Sequence, residues 1–193
     1  MPKRNTPDDY EYYPLRQGDP DGLCGVYAVL NALQFLVPDA RTYEFLSGVF
    51  DGLLEEKGKE KATVITLDNV RDGGEEPEIA AVHAFVAKRA KAELKVDFLR
   101  IPHGADAKSF KTPYLAMEAK FKEKEKGVFV FGFEGRDSHF TVARSVTPTR
   151  VMLFDSWEYG WFEREAFLWG APKKTRSKKV IVDPKEFDWF TLS

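Results

Sequence analysis

From Cys24 to Val37 the chain is apolar at almost every position; only the thiol, the Tyr27 hydroxyl, Asn31 and Gln34 interrupt the run. A stretch of this length, closed by Pro38, reads as a buried helix rather than a strand. The turn before it, Gly18-Asp19-Pro20-Asp21-Gly22, cannot be helical, so Cys24 falls in the first helical turn. Asp39 is read as the cap of a second helix, in which Leu46, Val49, Phe50, Leu53 and Leu54 share one face. Gly48 and Gly52 weaken that helix and leave room for close packing. A third helix is expected from Glu78 to Ala92 with Ile79, Val82, Val86 and Ala90 inward, and a fourth from Pro113 to Lys126.

The pattern then turns to period two. Leu94, Val96 and Phe98 alternate with Lys95 and Asp97, which predicts a half-buried strand ended by Pro102-His103-Gly104. Val128 to Phe133 is apolar on both faces, as in a central strand. His139–Val146 and Arg150–Phe154 read as two strands around Thr147-Pro148. Lys179–Val182 and Asp188–Leu192 are two more candidates, and Thr63–Leu67 is a short one. Glu55 to Lys61 reads as a solvated helix end and loop, Arg71 to Pro77 as a loop, and residues 1–13 as a polar arm. Helices come first and strands last. The expectation is one α+β domain over residues 1–193, with N-terminal helices packed on a mostly antiparallel C-terminal sheet.

Composition narrows the function. The 193 residues carry a net charge of −2, 43% hydrophobic and 14% aromatic residues, enough apolar material for a real core. That charge balance argues against nucleic acid as the main partner. One cysteine rules out an internal disulfide framework and fits a reducing compartment. No secretory signal and no membrane span is legible, so the cytoplasm is the expected place of synthesis, with signal-less secretion left open.

The single cysteine is also the first candidate for chemistry. At a helix start, free N–H groups and the positive end of the dipole favour thiolate over thiol, and a thiolate is a nucleophile. The plainer account is a small buried hydrophobe. A base and an orienting group elsewhere would decide between them. Of the three histidines, His83 lies on an inward helix face and reads as structural. His103 sits in a Pro-Gly turn and reads as exposed. His139 opens a strand at a sheet end, where functional side chains often project. Thr147 is midway between His139 and Asp155, so a hairpin centred there sets the two directly opposite on one face. A one-residue shift would part them. Asp155 would then fix the imidazole tautomer and leave the other nitrogen for Cys24. Cys, His and Asp could also hold zinc, but no close ligand pair is present, so neither metal nor cofactor is expected.

In their order, Gln17, Cys24, His139 and Asp155 resemble the papain-like cysteine peptidases. Gln17-Gly18 with Cys24-Gly25 resembles the oxyanion glutamine and nucleophile block, His139-Phe140-Thr141-Val142 the histidine strand, and Asp155-Ser156-Trp157 the Asn-Ser-Trp segment. Asp in the third position is similar to the bacteriocin-processing, C39-like branch; the Josephin deubiquitinases are a more distant match. The resemblance covers residues 16–36, 138–146 and 151–158. The Asp19-Pro20-Asp21 loop matches no branch, and the transporter domains that often accompany C39 peptidases are absent. It implies a papain-like fold, Cys24 as nucleophile, His139 as base, Asp155 as its orienting partner, Gln17 as oxyanion donor and Trp157 as a shield. The implied activity is hydrolysis of a peptide or isopeptide bond, on a peptide or protein substrate that includes ubiquitin-like tails. An acyltransferase or deamidase with the same triad, and a peptidase-like binding domain without turnover, are the alternatives.

Overall fold

The structure, a computed structural model, describes residues 13–16, 23–55, 79–123, 125–135, 137–170 and 178–193. Gln17, the Thr63–Leu67 strand and the loop over Arg71–Pro77 lie outside the described residues. Helix α1 spans Cys24–Leu36, as its apolar run predicts. Ten of its residues are buried, and the run ends where Pro38 enters a 3₁₀ turn over Pro38–Arg41. Asp39 falls inside that turn and caps nothing. Helix α2, Tyr43–Glu55, starts after Thr42, whose extended backbone stops the turn and whose Oγ1 accepts from Phe45 N–H at 3.2 Å. Helix α3, Ile79–Glu93, buries Val82, Val86 and Ala90. It closes on α2 at Gly52, where a Cβ would meet the Phe85 ring at 2.6 Å.

The expected strand over Leu94–Phe98 is displaced. Leu94 N–H still bonds back to the Ala90 carbonyl, and Lys95 is left-handed at φ 61. Leu94 and Val96 therefore alternate within a helix exit, and strand β1 covers Phe98–Pro102. His103 is not exposed: its ring packs on Phe129 and Phe187, at 5.5 and 6.1 Å. The short α4 (Gly104–Ala107) follows, then α5 (Pro113–Phe121), shorter than expected and capped by Thr112.

Strands β2 (Gly127–Gly135), β3 (His139–Val146), β4 (Arg150–Leu153), β5 (Trp161–Glu163), β6 (Phe167–Trp169) and β7 (Val180–Leu192) complete the chain. Among the described residues they form one sheet in the order β1-β7-β2-β3-β4-β5, with β6 beside β7. Every pairing is antiparallel except β6 with β7. The fold is thus α+β with a mostly antiparallel sheet.

The two tail strands of the sequence reading are one strand. Asp183 to Glu186 loop out of β7 between the Phe133–Val182 and Phe131–Phe187 pairs. Pro184 lies inside that excursion, where its missing N–H costs the ladder nothing. Gly104 closes against it: a Cβ there would fall 1.5 Å from the Pro184 carbonyl oxygen.

Helices cover both sheet faces. On the first face α1, α2 and α3 pack over Val128, Val130, Val142, Phe154 and Phe190. On the second, α4 and α5 pack over Phe129, Phe131, Phe187 and Trp189. β2 is central, as its two-sided apolar pattern predicts, because its side chains enter both cores in alternation. Each fully buried Phe removes enough apolar surface to contribute about 1.5–3 kcal/mol.

Candidate active site

The β3–β4 hairpin positions the candidate base. Its turn is closed by Thr147 N–H to the Arg150 carbonyl at 2.8 Å, so it centres between Pro148 and Thr149, not on Thr147. Val146 pairs with Val151 and Ser145 with Met152. Continued unchanged, that register would set Asp155 opposite Val142, on the α1 face. It does not continue. Ala143 pairs with Leu153, so Arg144 is an extra residue, a β-bulge that reverses the phase of β3. Phe154 N–H then bonds to the Val142 carbonyl at 2.9 Å. Asp155 comes next to Thr141 and diagonal to His139, on the same face as both.

The result is a buried pair. His139 Nε2 lies 2.9 Å from Asp155 Oδ2, and neither side chain is exposed. An ionised carboxylate only accepts, so the proton sits on Nε2 and the neutral ring has its lone pair on Nδ1. Asp155 Oδ1 accepts from the backbone N–H groups of Trp157 (2.7 Å) and Tyr159 (3.2 Å). Three donors thus fix the carboxylate in a turn where Glu158 is held at φ 64. The indole of Trp157, 42% exposed, stacks on the imidazole with centroids 4.3 Å apart and planes 14° from parallel. Tyr159 donates its hydroxyl to Asp137 at 2.6 Å, tying the turn to the loop before His139.

Among the described residues, Nδ1 of His139 is buried without a hydrogen-bond partner, as are the hydroxyls of Thr141 and Ser156 on either side of Asp155. A buried polar group left unmatched costs about 1–3 kcal/mol. Such a cost is tolerated where the atom has chemistry to perform.

Cys24 is the first residue of α1, and 4% of it is exposed. The helix packs on β3 and places Phe35 edge-on to Phe154 at 5.5 Å. It does so on the face carrying Val142. The imidazole lies on the other face, where His139 pairs with Phe133. Among the described residues, no hydrogen bond joins the thiol to Nδ1. The structure brings together His139, Asp155 and Trp157. Cys24 stands on the helix that packs against their strand.

One contributor was not legible in the chain's pattern. Asn31, buried in α1, accepts from Leu15 N–H at 2.7 Å and donates to the Leu15 carbonyl at 3.2 Å. Gln34 donates to the same Asn31 oxygen at 2.6 Å. Arg16 then pairs with Glu158 at 2.6 Å. The residues just before Gln17 are thereby fastened to both α1 and the Asp155 turn. The signal was an amide pair in an otherwise apolar helix. Of the other histidines, His83 is structural as expected, with Nε2 3.0 Å from the Phe98 carbonyl. Among the described residues, no helix is long and apolar enough to cross a membrane. Comparison with models of protein families, with curated proteins and with solved structures finds no match.

Proposed function

We propose that this chain is a cysteine hydrolase of papain-like fold that cleaves a peptide or isopeptide bond with Cys24, His139 and Asp155. The observation that carries the reading is the His139–Asp155 pair, covered by Trp157, with the second ring nitrogen left without a partner among the described residues. Most buried polar side-chain atoms have a partner. A histidine paired to a carboxylate and bare at Nδ1 suits a general base.

In the proposed cycle Nδ1 takes the Cys24 proton, and the thiolate attacks the acyl carbon. The carbonyl oxygen gains charge, stabilised by the Cys24 backbone N–H and the Gln17 amide, a donor worth roughly 3 kcal/mol. The tetrahedral species collapses to a thioester as the imidazolium protonates the leaving amine. Water, deprotonated at the same nitrogen, releases the acid and restores the thiol. Asp155 keeps the ring oriented and balances its charge throughout.

One observation favours a second reading, a binding domain without turnover: the imidazole and carboxylate are fully covered, and Cys24 is nearly so. Alkylation separates the two. In the hydrolase, iodoacetamide labels Cys24 faster than free cysteine at pH 7, and His139→Ala removes the excess rate. A screen of peptide and ubiquitin-like electrophiles then yields a covalent adduct that Cys24→Ala abolishes. Labelling slower than free cysteine, with no adduct, supports the binding domain.

A further inference from the structure

A cavity of about 400 Å³ opens behind the ring wall that backs the imidazole, within the usual size of small-molecule sites. Phe133 and Tyr159 belong to that wall. Their ring centres lie 5.9 and 6.1 Å from His139, and both also line the cavity. The wall is pre-formed: Phe162 packs on Phe133 at 5.2 Å and on Tyr159 at 5.3 Å. Trp161, also in the lining, is held from outside by the Arg150 guanidinium, 3.9 Å from its ring centre. A cavity walled by fixed rings favours an aromatic ligand, because little side-chain freedom is lost on binding.

The charges at its mouth are not equivalent. Glu163 is offset by Arg150 at 3.5 Å, and Asp137 is engaged by the Tyr159 hydroxyl. Two cations lie on the rim: Lys179, whose ammonium donates to the Glu165 carbonyl at 3.0 Å, and the exposed Lys178, which is within reach of a ligand seated in the cavity.

We infer that this cavity binds a small aromatic carboxylic acid, its ring against Phe133, Tyr159 and Trp161 and its carboxylate at Lys178. The site goes beyond the thiol chemistry and requires neither Cys24 nor His139, so the two readings fail separately.

The experiment is calorimetric titration of the full chain with 2-naphthoate and with neutral 2-naphthamide. Naphthoate is expected to bind with a Kd on the order of 1 mM or tighter, and the amide about fivefold more weakly. Ala166→Trp, which occupies part of the cavity, weakens both at least about tenfold. Lys178→Glu, a surface change that leaves the fold alone, brings the acid to the amide's affinity or below. Absence of naphthoate binding up to about 10 mM, equal affinity for acid and amide, or unchanged binding by folded Ala166→Trp overturns the inference. If Ala166→Trp does not fold, Lys178→Glu decides: an unaltered preference for the acid overturns it.

Discussion

His139 Nε2 and Asp155 Oδ2 lie 2.9 Å apart although Arg144, five residues beyond the histidine, is one residue too many for its hairpin. A bulge in β3 that neither residue belongs to absorbs it. Deleting Arg144 should leave an unbulged ladder with the same partners, Ala143 opposite Leu153 and Thr141 opposite Asp155, so Asp155 stays on the face of His139. The variant is expected to keep the imidazole–carboxylate hydrogen bond. Retention of a downfield Nε2–H proton resonance, present in the parent protein, is the measurement.

Asp155 itself can be probed by charge and by shape. Asp155→Asn can still accept through its amide oxygen, but it removes the charge opposite the ring. Asp155→Ala leaves a buried imidazole without either partner and the Trp157 and Tyr159 N–H groups without their acceptor. The alanine variant should lose at least about 1–3 kcal/mol of stability, read as a shift in the urea midpoint. In the proposed hydrolase, turnover in both variants falls by roughly 10²–10⁴-fold. Asparagine should lose activity with little loss of stability.

A partly buried ion pair lies away from this site. Arg100 Nε is 2.8 Å from Asp188 Oδ2, and the carboxylate is almost wholly covered. Burial pushes the Asp188 carboxyl up, and Arg100 pulls it back. Arg100→Leu removes the compensation and should destabilise the protein by about 3–5 kcal/mol at neutral pH. The folded carboxyl would then hold its proton more tightly than the unfolded one, so lowering the pH should restore part of the loss. Urea midpoints of parent and variant at two pH values test this.

His83 makes the opposite contribution. Burial lowers its pKa, the hydrogen bond with the Phe98 carbonyl opposes that, and Arg100 adds to the lowering. The folded protein holds the ring neutral. Its contribution is therefore fully present above the ordinary histidine pKa of 6.5, and it is lost as the pH falls through that value toward the lower folded one. His83→Gln keeps a donor for the Phe98 carbonyl but does not titrate. Its denaturation midpoint should fall less than the parent's between about pH 7.5 and 5.

Much of this was legible where one local rule dominated. Pro38 set the far limit of α1, and the unbroken apolar run of β2 marked a central strand. The reading failed where tertiary packing overrode local pattern. Leu94 and Val96 alternate like a strand but belong to a helix exit. β5 and β6 are three residues each, too short to show a period. At the site, the sequence placed His139 with Asp155 but by a register the hairpin does not have. Nothing in Ala143-Arg144-Ser145 distinguishes the bulged residue, since the phase is set by what each face must bury.

The hold of Asn31 on Leu15, with Arg16 on Glu158, has a practical corollary for truncation. The leading segment works as a strap: it is buckled to the first helix at one point and to the loop behind the imidazole at the next. Trimming the chain up to Tyr13 should leave the buckles closed. Cutting past Arg16 removes both at once, and the loop carrying Asp155 then loses its tie to the leading segment while keeping its bonds to His139 and Asp137.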